Sequence, residues 1–155
     1  MTTKPVDFKR LSAHKTPEDS PGFLLWRTST LWRRSIEAVL KPLGLTHPQF
    51  VVLAVTAWLT KGGVKVSQAE IAREASLDAN TTSQILRSLQ AKELIERPRT
   101  VDERSKCPLL TVAGKESLSK ALPTVEKADA DFFALLPKQS ILIEILQSLS
   151  QRKPA

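Results

Sequence analysis

The stretch "SQAEIAREASLDANTTSQILRSLQAKELIERPR", residues 67–99, decides the fold. Ser67 and Glu70 have the spacing of a capping box, which predicts the start of a short helix with Ile71 and Ala72 on its buried face. The turn "ASLD" separates this helix from a second one, predicted over about residues 79–92. The β-prone segments "LIERPR" and "CPLLTV" then predict a hairpin around a charged loop. Two short helices, a tight turn and a two-stranded hairpin are the plan of a winged helix-turn-helix domain.

The second helix of this unit has two chemically different faces. One side is predicted to pack inward through Thr82, Ile85, Leu86 and Leu89. The opposite side carries no acidic residue, and its amide, hydroxyl and guanidinium groups can pair with base edges in the major groove. The residues predicted to contact DNA from this helix are Asn80, Thr81, Ser83, Gln84 and Arg87. A polar surface helix that binds nothing is the alternative interpretation.

The stretch "RPRTVDERSK", residues 97–106, is the loop of the predicted hairpin. A basic hairpin tip beside a recognition helix can reach the adjacent minor groove, where negative potential attracts an inserted arginine. Arg104 is the predicted insertion, and Asp102 is predicted to hold Arg104 or the turn in position through a charge-assisted hydrogen bond. Phosphate contacts are predicted at Arg97, Arg99 and Lys106. A plain solvated loop is the alternative.

Helical patterns flank this unit on both sides. Upstream, a helix begins near Pro21 and ends at "KPLG". The capping-box pair Thr46 and Gln49 then opens "FVVLAVTAWL", which is apolar on every side and is therefore predicted to be a buried central helix. Residues 64–66 are predicted to form one short strand. Because a long helical stretch follows Thr111 and a last helix follows Pro137, the predicted fold class is mainly α with a small β-hairpin wing.

The two terminal helical regions carry apolar side chains for which a small winged domain offers no obvious partner. They are Leu25, Ile36, Leu122, Val125, Ile141, Ile145 and Leu149. Left exposed, these side chains would form a large apolar patch, which soluble monomers avoid. We therefore predict an obligate twofold dimer that buries more than about 2,000 Å² in total.

The chain resembles the MarR family of bacterial transcriptional regulators. The resemblance lies in "LGLTHPQFVVL", in residues 67–106 and in "LLTVAGKE", and its most specific part is the Asp102-x-Arg104 pattern with Leu110, Thr111 and Gly114 downstream. It implies a homodimer whose first and last helices intertwine, with two winged domains on a palindromic operator. It also implies a repressor that is released by a small molecule or by oxidation. Residues 1–20 are polar, carry Pro5 and Pro17 and show no sustained period, so they are predicted to be a flexible N-terminal arm, and residues 21–155 are predicted to be a single domain of this type. Within that domain we expect the winged helix-turn-helix at about 46–111 and dimerisation helices at about 21–41 and 112–152.

Four positions depart from the usual pattern of that family. Gln84 stands where an arginine is common, and Thr82 where a valine is common. Glu93 replaces a frequent glycine after the recognition helix, and Pro108 interrupts the second strand of the wing. These departures bear on the operator sequence and on the regularity of the wing.

The composition limits the classes of function. The chain has 155 residues, a formal net charge of +7 and 41% hydrophobic residues, which fits a folded domain with an anionic partner such as double-stranded DNA. An acidic membrane surface is the alternative, but no segment resembles a membrane span or a signal peptide, so a cytoplasmic protein without membrane contact is expected. The single cysteine, Cys107, excludes an internal disulfide and a cysteine-rich zinc site, and it is interpreted as a small strand residue rather than a redox sensor. We find no catalytic constellation, phosphate-binding loop or metal-ligand spacing, and therefore expect neither a cofactor nor enzymatic activity.

Trp26, His47 and Trp58 lie on the first two helices, where the family forms its ligand crevice. Aromatic walls with one or two polar groups suit a small aromatic or phenolic effector, although aromatic residues at helical spacing are also common in cores. The predicted function is a sequence-specific, ligand-responsive DNA-binding regulator. The alternatives are an architectural DNA-binding protein and a winged-helix protein-interaction module.

Overall fold

The computed structural model describes residues 5–97 and 107–151 of the chain. Its elements in chain order are helices α1 (Phe8–Leu11), α2 (Pro21–Leu40), α3 (His47–Leu59), α4 (Gln68–Glu74) and α5 (Ala79–Ala91), strands β1 (Ile95–Glu96) and β2 (Leu109–Leu110), and helices α6 (Val112–Phe132) and α7 (Gln139–Ser150). Short 3-10 turns occupy Pro17–Asp19, Lys41–Leu43 and Lys61–Gly63. The prediction of a mainly helical winged helix-turn-helix with a small hairpin is confirmed.

Both predicted capping boxes are present. The Thr46 hydroxyl accepts from the Gln49 amide at 3.3 Å, and the Gln49 side chain accepts from the Thr46 amide at 3.2 Å. Ser67 and Glu70 make the same pair of bonds at the start of α4. Each box satisfies amide groups that the first turn of a helix leaves without intrahelical partners, which is why α3 and α4 begin where the sequence predicts.

The core lies where α2, α3, α4, α5 and α6 meet, and β1 closes one side of it. Its largest fully buried apolar side chains are Ile36, Leu40, Val52, Leu53, Ile71, Leu86 and Leu89, with Ile95 at 2% exposure. α3 passes through the middle of this core. However, the prediction that α3 is buried on every side is wrong at its C-terminal end, because Trp58 is 62% exposed. There the ring faces away from the core and the Lys61 ammonium lies 3.0 Å from its centre, a favourable cation–π contact.

The predicted hairpin is confirmed as an antiparallel pair in which Ile95 faces Leu110 and Glu96 faces Leu109. Pro108 is fully buried and directly precedes β2, so its missing amide removes no bond from this short ladder. The strand predicted at residues 64–66 is wrong. Val66 is buried while Val64 is 56% exposed, and the segment is held through that one buried side chain without a backbone ladder.

Gly114 explains how closely the hairpin and α6 meet. Thr111 caps α6 by accepting from the Gly114 amide at 3.0 Å, while its own amide donates to the Leu94 carbonyl at 3.1 Å. A Cβ at position 114 would overlap that same carbonyl oxygen. Only glycine therefore lets the first turn of α6 approach the chain entering β1.

The terminal helices divide the apolar residues expected at a dimer interface into two groups. Ile36 and Val125 were expected there, and this is wrong: they are 0% and 6% exposed, because α2 and α6 pack on each other within one chain. The exposed group consists of Leu25, Leu122, Ile141, Ile145 and Leu149. No residue of α7 is buried. An amphipathic helix without a buried face inside its own chain is the surface that a homodimer would cover.

The segment before α2 lies at the surface of the chain. Residues 5–20 contain α1 and one 3-10 turn, and none of them is buried.

Within the described ranges, no single helix is long and apolar enough to cross a membrane, although the pair Pro21–Leu43 and His47–Leu59, bent by 80°, reaches that length and composition together.

Candidate nucleic-acid interface

The two faces of α5 separate as the sequence predicts. Thr82, Leu86 and Leu89 are fully buried and Ile85 is half-buried. Thr82 occupies a buried position where the family commonly has a valine of similar shape. Its hydroxyl is not left unpaired there, because it donates to the Asp78 carbonyl at 2.9 Å. Inward packing therefore fixes which side of α5 faces outward.

The outward side of α5 presents exposed Asn80, Gln84 and Arg87, with Ser83 half-buried between them. Thr81 has a second role, because its hydroxyl and its amide donate to the Asp78 carboxylate at 2.6 and 2.9 Å. These bonds from Thr81 hold the pKa of Asp78 below its usual value and cap the helix. The structure thus places four of the five predicted contacts on one outward surface and uses Thr81 partly to start the helix.

Arg97 is the one predicted wing contact within the described residues. Its Nε donates to the Gln90 side chain at 3.1 Å, and its Nη1 donates to the side chain of Gln68. Gln68 opens α4 and Gln90 lies near the end of α5, so the guanidinium bridges both helices of the helix-turn-helix. Arg99, Asp102, Arg104 and Lys106 lie outside the described residues, and their contacts stay predictions.

The three residues predicted for an effector pocket occupy different surroundings. Trp26 is 68% exposed on α2 and Trp58 is exposed at the end of α3, whereas His47 is buried at the start of α3. The imidazole of His47 packs edge-on against Trp32, with ring centres 5.1 Å apart, and Trp32 donates to the Asp129 carboxylate at 2.7 Å. Burial holds the pKa of His47 below its usual value, against the opposing influence of nearby carboxylates. Within one chain His47 and Trp58 therefore lie at opposite ends of α3, one buried and one exposed.

A cavity of about 550 Å³ lies elsewhere, between the end of α3, the hairpin and the start of α6. Sequence reasoning missed it because its walls come from four separated segments. The only local signal is the pair Gly62 and Gly63, whose φ values of 78° and 82° turn the chain along one wall. The other lining residues are Ala57, Thr60, Lys61, Glu96, Leu109, Leu110 and Lys115.

Sequence reasoning also missed a polar network at the C-terminal end of α5, which we call the α5 joint and define as Gly44, Gln49, Ser88 and Lys92. The Lys92 ammonium donates to the Gly44 carbonyl at 2.6 Å and to the Gln49 side-chain oxygen at 2.9 Å. The Gln49 amide nitrogen donates to the Ser88 hydroxyl at 3.0 Å. In the sequence Gln49 shows only its capping role, because its contacts with α5 join residues about forty positions apart.

Comparison with known proteins connects this architecture to a family. The family model described as MarR family matches residues 43–105. An uncharacterized HTH-type transcriptional regulator of Bacillus subtilis is 36% identical over 134 residues, which cover 86% of this chain and 91% of that protein. An HTH-type transcriptional repressor of Mycobacterium tuberculosis is 34% identical over 136 residues, covering 85% and 95% of the two chains.

Solved structures show the same similarity. A MarR family protein of Mycobacterium tuberculosis in complex with DNA has a TM-score of 0.65 and 32% identity, covering 84% of this chain and 97% of that one. Its complex with salicylic acid has a TM-score of 0.64 and 34% identity, covering 86% and 99%.

Proposed function

This chain belongs to the MarR family of transcriptional regulators, and we propose that it is a repressor that binds a palindromic operator as a homodimer. The outward face of α5 carries this proposal. It offers Asn80, Gln84 and Arg87 to solvent while the other side of the helix is fixed in the core. An amide can pair bidentately with adenine and a guanidinium with guanine, which is the chemistry of major-groove readout.

The exposed apolar surface of α7 and of the first half of α2 supports the dimeric form. Ile141, Ile145 and Leu149 are each about half exposed, and Leu25 on α2 is 56% exposed. A twofold dimer covers these side chains and presents two copies of α5. Because such copies read half-sites about one helical turn apart, the operator would share the symmetry of the protein.

The wing completes the proposed contact with DNA. We propose that Arg104 enters the minor groove, that Asp102 orients it, and that Arg99 and Lys106 contact phosphates. For Arg97 the bonds to Gln68 and Gln90 favour a bridging role, with its remaining N–H groups available to a phosphate.

A small aromatic acid or phenol is the proposed effector. The support is the salicylic acid complex of the similar Mycobacterium tuberculosis protein. Trp26 and Trp58 expose more than half of their surface in one chain, which leaves both rings accessible to an effector or to a partner copy, whereas His47 is buried at the other end of α3 from Trp58. We propose that this regulation takes place in the cytoplasm, where bacterial DNA lies.

Selection of binding sites from random duplex DNA tests the proposal. We expect enrichment of a palindrome, and we expect Arg87→Ala to cost about 1–3 kcal/mol and to relax base preference at matching positions in both half-sites. Exposed Arg73 on α4 offers a matched control, since Arg73→Ala removes the same charge from the other helix of the helix-turn-helix and should leave base preference unchanged. Equal binding to all duplexes would identify an architectural protein, and the absence of DNA binding would identify a protein-interaction module.

A further inference from the structure

The α5 joint connects the two functional parts of the chain. Gly44 follows the 3-10 turn Lys41–Leu43 that extends α2, one of the two helices with exposed apolar surface for a partner copy. Lys92 is the residue directly after α5. The bond between the Lys92 ammonium and the Gly44 carbonyl therefore ties the end of a dimerisation helix to the end of the recognition helix.

The bonds of the joint leave little freedom. The Gln49 side-chain oxygen accepts from both the Thr46 amide and the Lys92 ammonium, which occupies both of its lone pairs. The Gln49 amide nitrogen donates to Ser88, and the Ser88 hydroxyl donates on to the Ile85 carbonyl. Gln49 is only 8% exposed, and its bonds to Ser88 and Lys92 are partly buried, where a bond to a charged donor is stronger than a neutral bond at the surface; the bond from Lys92 to the Gly44 carbonyl is exposed.

A small rotation at the joint produces a larger displacement at the N-terminal, DNA-reading end of α5. α5 has 13 residues and is therefore about 20 Å long. A rotation of about 10° at its C-terminal end would move its N-terminal end by about 3.5 Å, close to the rise of one base pair. Base contacts are made from the N-terminal part of a recognition helix, and a twofold dimer applies the shift to both half-sites in opposite directions.

We propose that the α5 joint sets the half-site spacing that the dimer accepts, with Lys92 as the positioning residue. The inference rests on the proposed function, because it requires a dimer on a palindromic operator. Lys92 acts through the orientation of α5 and reads no base. Its ammonium donates to two protein oxygens, and the proposal assigns its positive charge to the joint; the salt dependence of binding distinguishes this role from a phosphate contact through the third N–H.

The experiment uses operators built from the half-site that the full-length protein itself selects. Their half-site centres are placed at the selected separation and one or two base pairs closer or farther apart. For the unaltered protein we expect affinity to fall steeply on both sides of the selected spacing. For Lys92→Met we expect the ratio of Kd between shifted and selected spacings to shrink by about three- to tenfold, the size of coupling that contacting residues show. The salt dependence of binding should stay unchanged.

Two further variants keep the result interpretable. Lys120→Met removes the same charge from an exposed position on α6 and should retain the full spacing preference. Ser88→Ala breaks the joint from its other side without changing charge, and it should flatten the profile as Lys92→Met does. A Lys92→Met protein with the original spacing profile would overturn the proposal. So would a uniform loss at all spacings with the salt slope reduced by about one, which marks a lost phosphate contact. A flat profile in the unaltered protein would instead contradict the proposed function itself.

Discussion

Helices α5 and α7 are similar in length and differ in where their apolar faces lie. α5, with 13 residues, buries Thr82, Leu86 and Leu89 against its own chain and leaves a polar face outside. α7, with 12 residues, buries nothing and leaves several isoleucines and leucines about half exposed. The surface that remains after folding therefore indicates the partner: a hydrogen-bonding face suits base edges, and an apolar face suits a second copy of the same helix.

The largest effect is expected when the apolar face of α7 is broken. Ile145→Asp places a charge in the proposed dimer interface, where burial of an unpaired carboxylate is strongly unfavourable. We expect a monomer that keeps the fold of its winged domain and loses about a hundredfold or more in operator affinity, because two linked half-site contacts become one. Sedimentation and DNA titration measure the two changes.

A control for this prediction lies two residues away. Gln147 is an exposed polar residue of the same helix, and Gln147→Asp adds the same charge. It should leave the dimer largely intact. A stable dimer in Ile145→Asp, or equal disruption by both variants, would show that the apolar face of α7 is not the interface.

The second prediction compares Gly114, which lies in a close contact between α6 and the chain entering β1, with Gly22 of α2, which lies in open space. Gly114→Ala would force a Cβ onto the Leu94 carbonyl, and we expect it to lower the free energy of unfolding by about 3 kcal/mol or more. Gly22 in α2 has nothing within 4 Å of the corresponding Cβ position. Gly22→Ala should therefore be neutral or stabilise by up to about 1 kcal/mol. Thermal unfolding of both variants decides, and similar melting temperatures would contradict the close approach at Gly114.

Local signals in the sequence were sufficient for the framework of the fold. Both capping boxes and the inward face of α5 depend on residues within a few positions of each other, and the hairpin is predicted from two short β-prone segments that pair Ile95 with Leu110; all are confirmed. The errors came from packing between distant segments. Ile36 and Val125 are apolar at the expected spacing, but only the side-by-side contact of α2 and α6 shows that they are buried within one chain.

The residues of the candidate site likewise divide into those that local sequence predicts and those that depend on contacts between distant segments. The outward face of α5 follows from helical periodicity, which is a local property. The α5 joint and the bridge made by Arg97 depend on side chains that meet across separate helices, and their residues look like ordinary polar surface positions in the sequence. Two helices that are adjacent in the chain, α2 and α3, carry Trp26, His47 and Trp58. The residues that would surround these side chains in a dimer depend on the position of the partner copy.

The third prediction concerns the bridge between the two helices of the helix-turn-helix. Arg97→Lys keeps the charge but cannot donate from two separated nitrogens to Gln68 and Gln90. We expect stability to fall by about 1 kcal/mol with the salt dependence of DNA binding unchanged. Chemical denaturation and a salt titration measure these two quantities.

Arg73 on α4 provides the matched control, because it is exposed and Arg73→Lys should change neither quantity. If Arg97→Lys also changed neither, the bridge from Arg97 to Gln68 and Gln90 would not contribute to stability.

The smallest effect is expected at Glu93, the junction between α5 and β1. Glu93 has a φ of 58°, in the left-handed region that costs a side-chain-bearing residue about 1–2 kcal/mol. Two hydrogen bonds of the Glu93 backbone hold this conformation. The Glu93 amide donates to the Gln90 carbonyl at 2.9 Å, and the Glu93 carbonyl accepts from the Thr111 hydroxyl at 2.6 Å. Glycine adopts this φ freely but loses about 0.5–1 kcal/mol of extra chain entropy on folding. Glu93→Gly should therefore stabilise the protein by up to about 1 kcal/mol. Glu93→Ala removes the same carboxylate from the end of α5 while keeping a Cβ, so the difference between the two variants in chemical denaturation isolates the backbone cost. If Glu93→Gly were the less stable of the two, the left-handed turn would not be the reason that glycine suits this position.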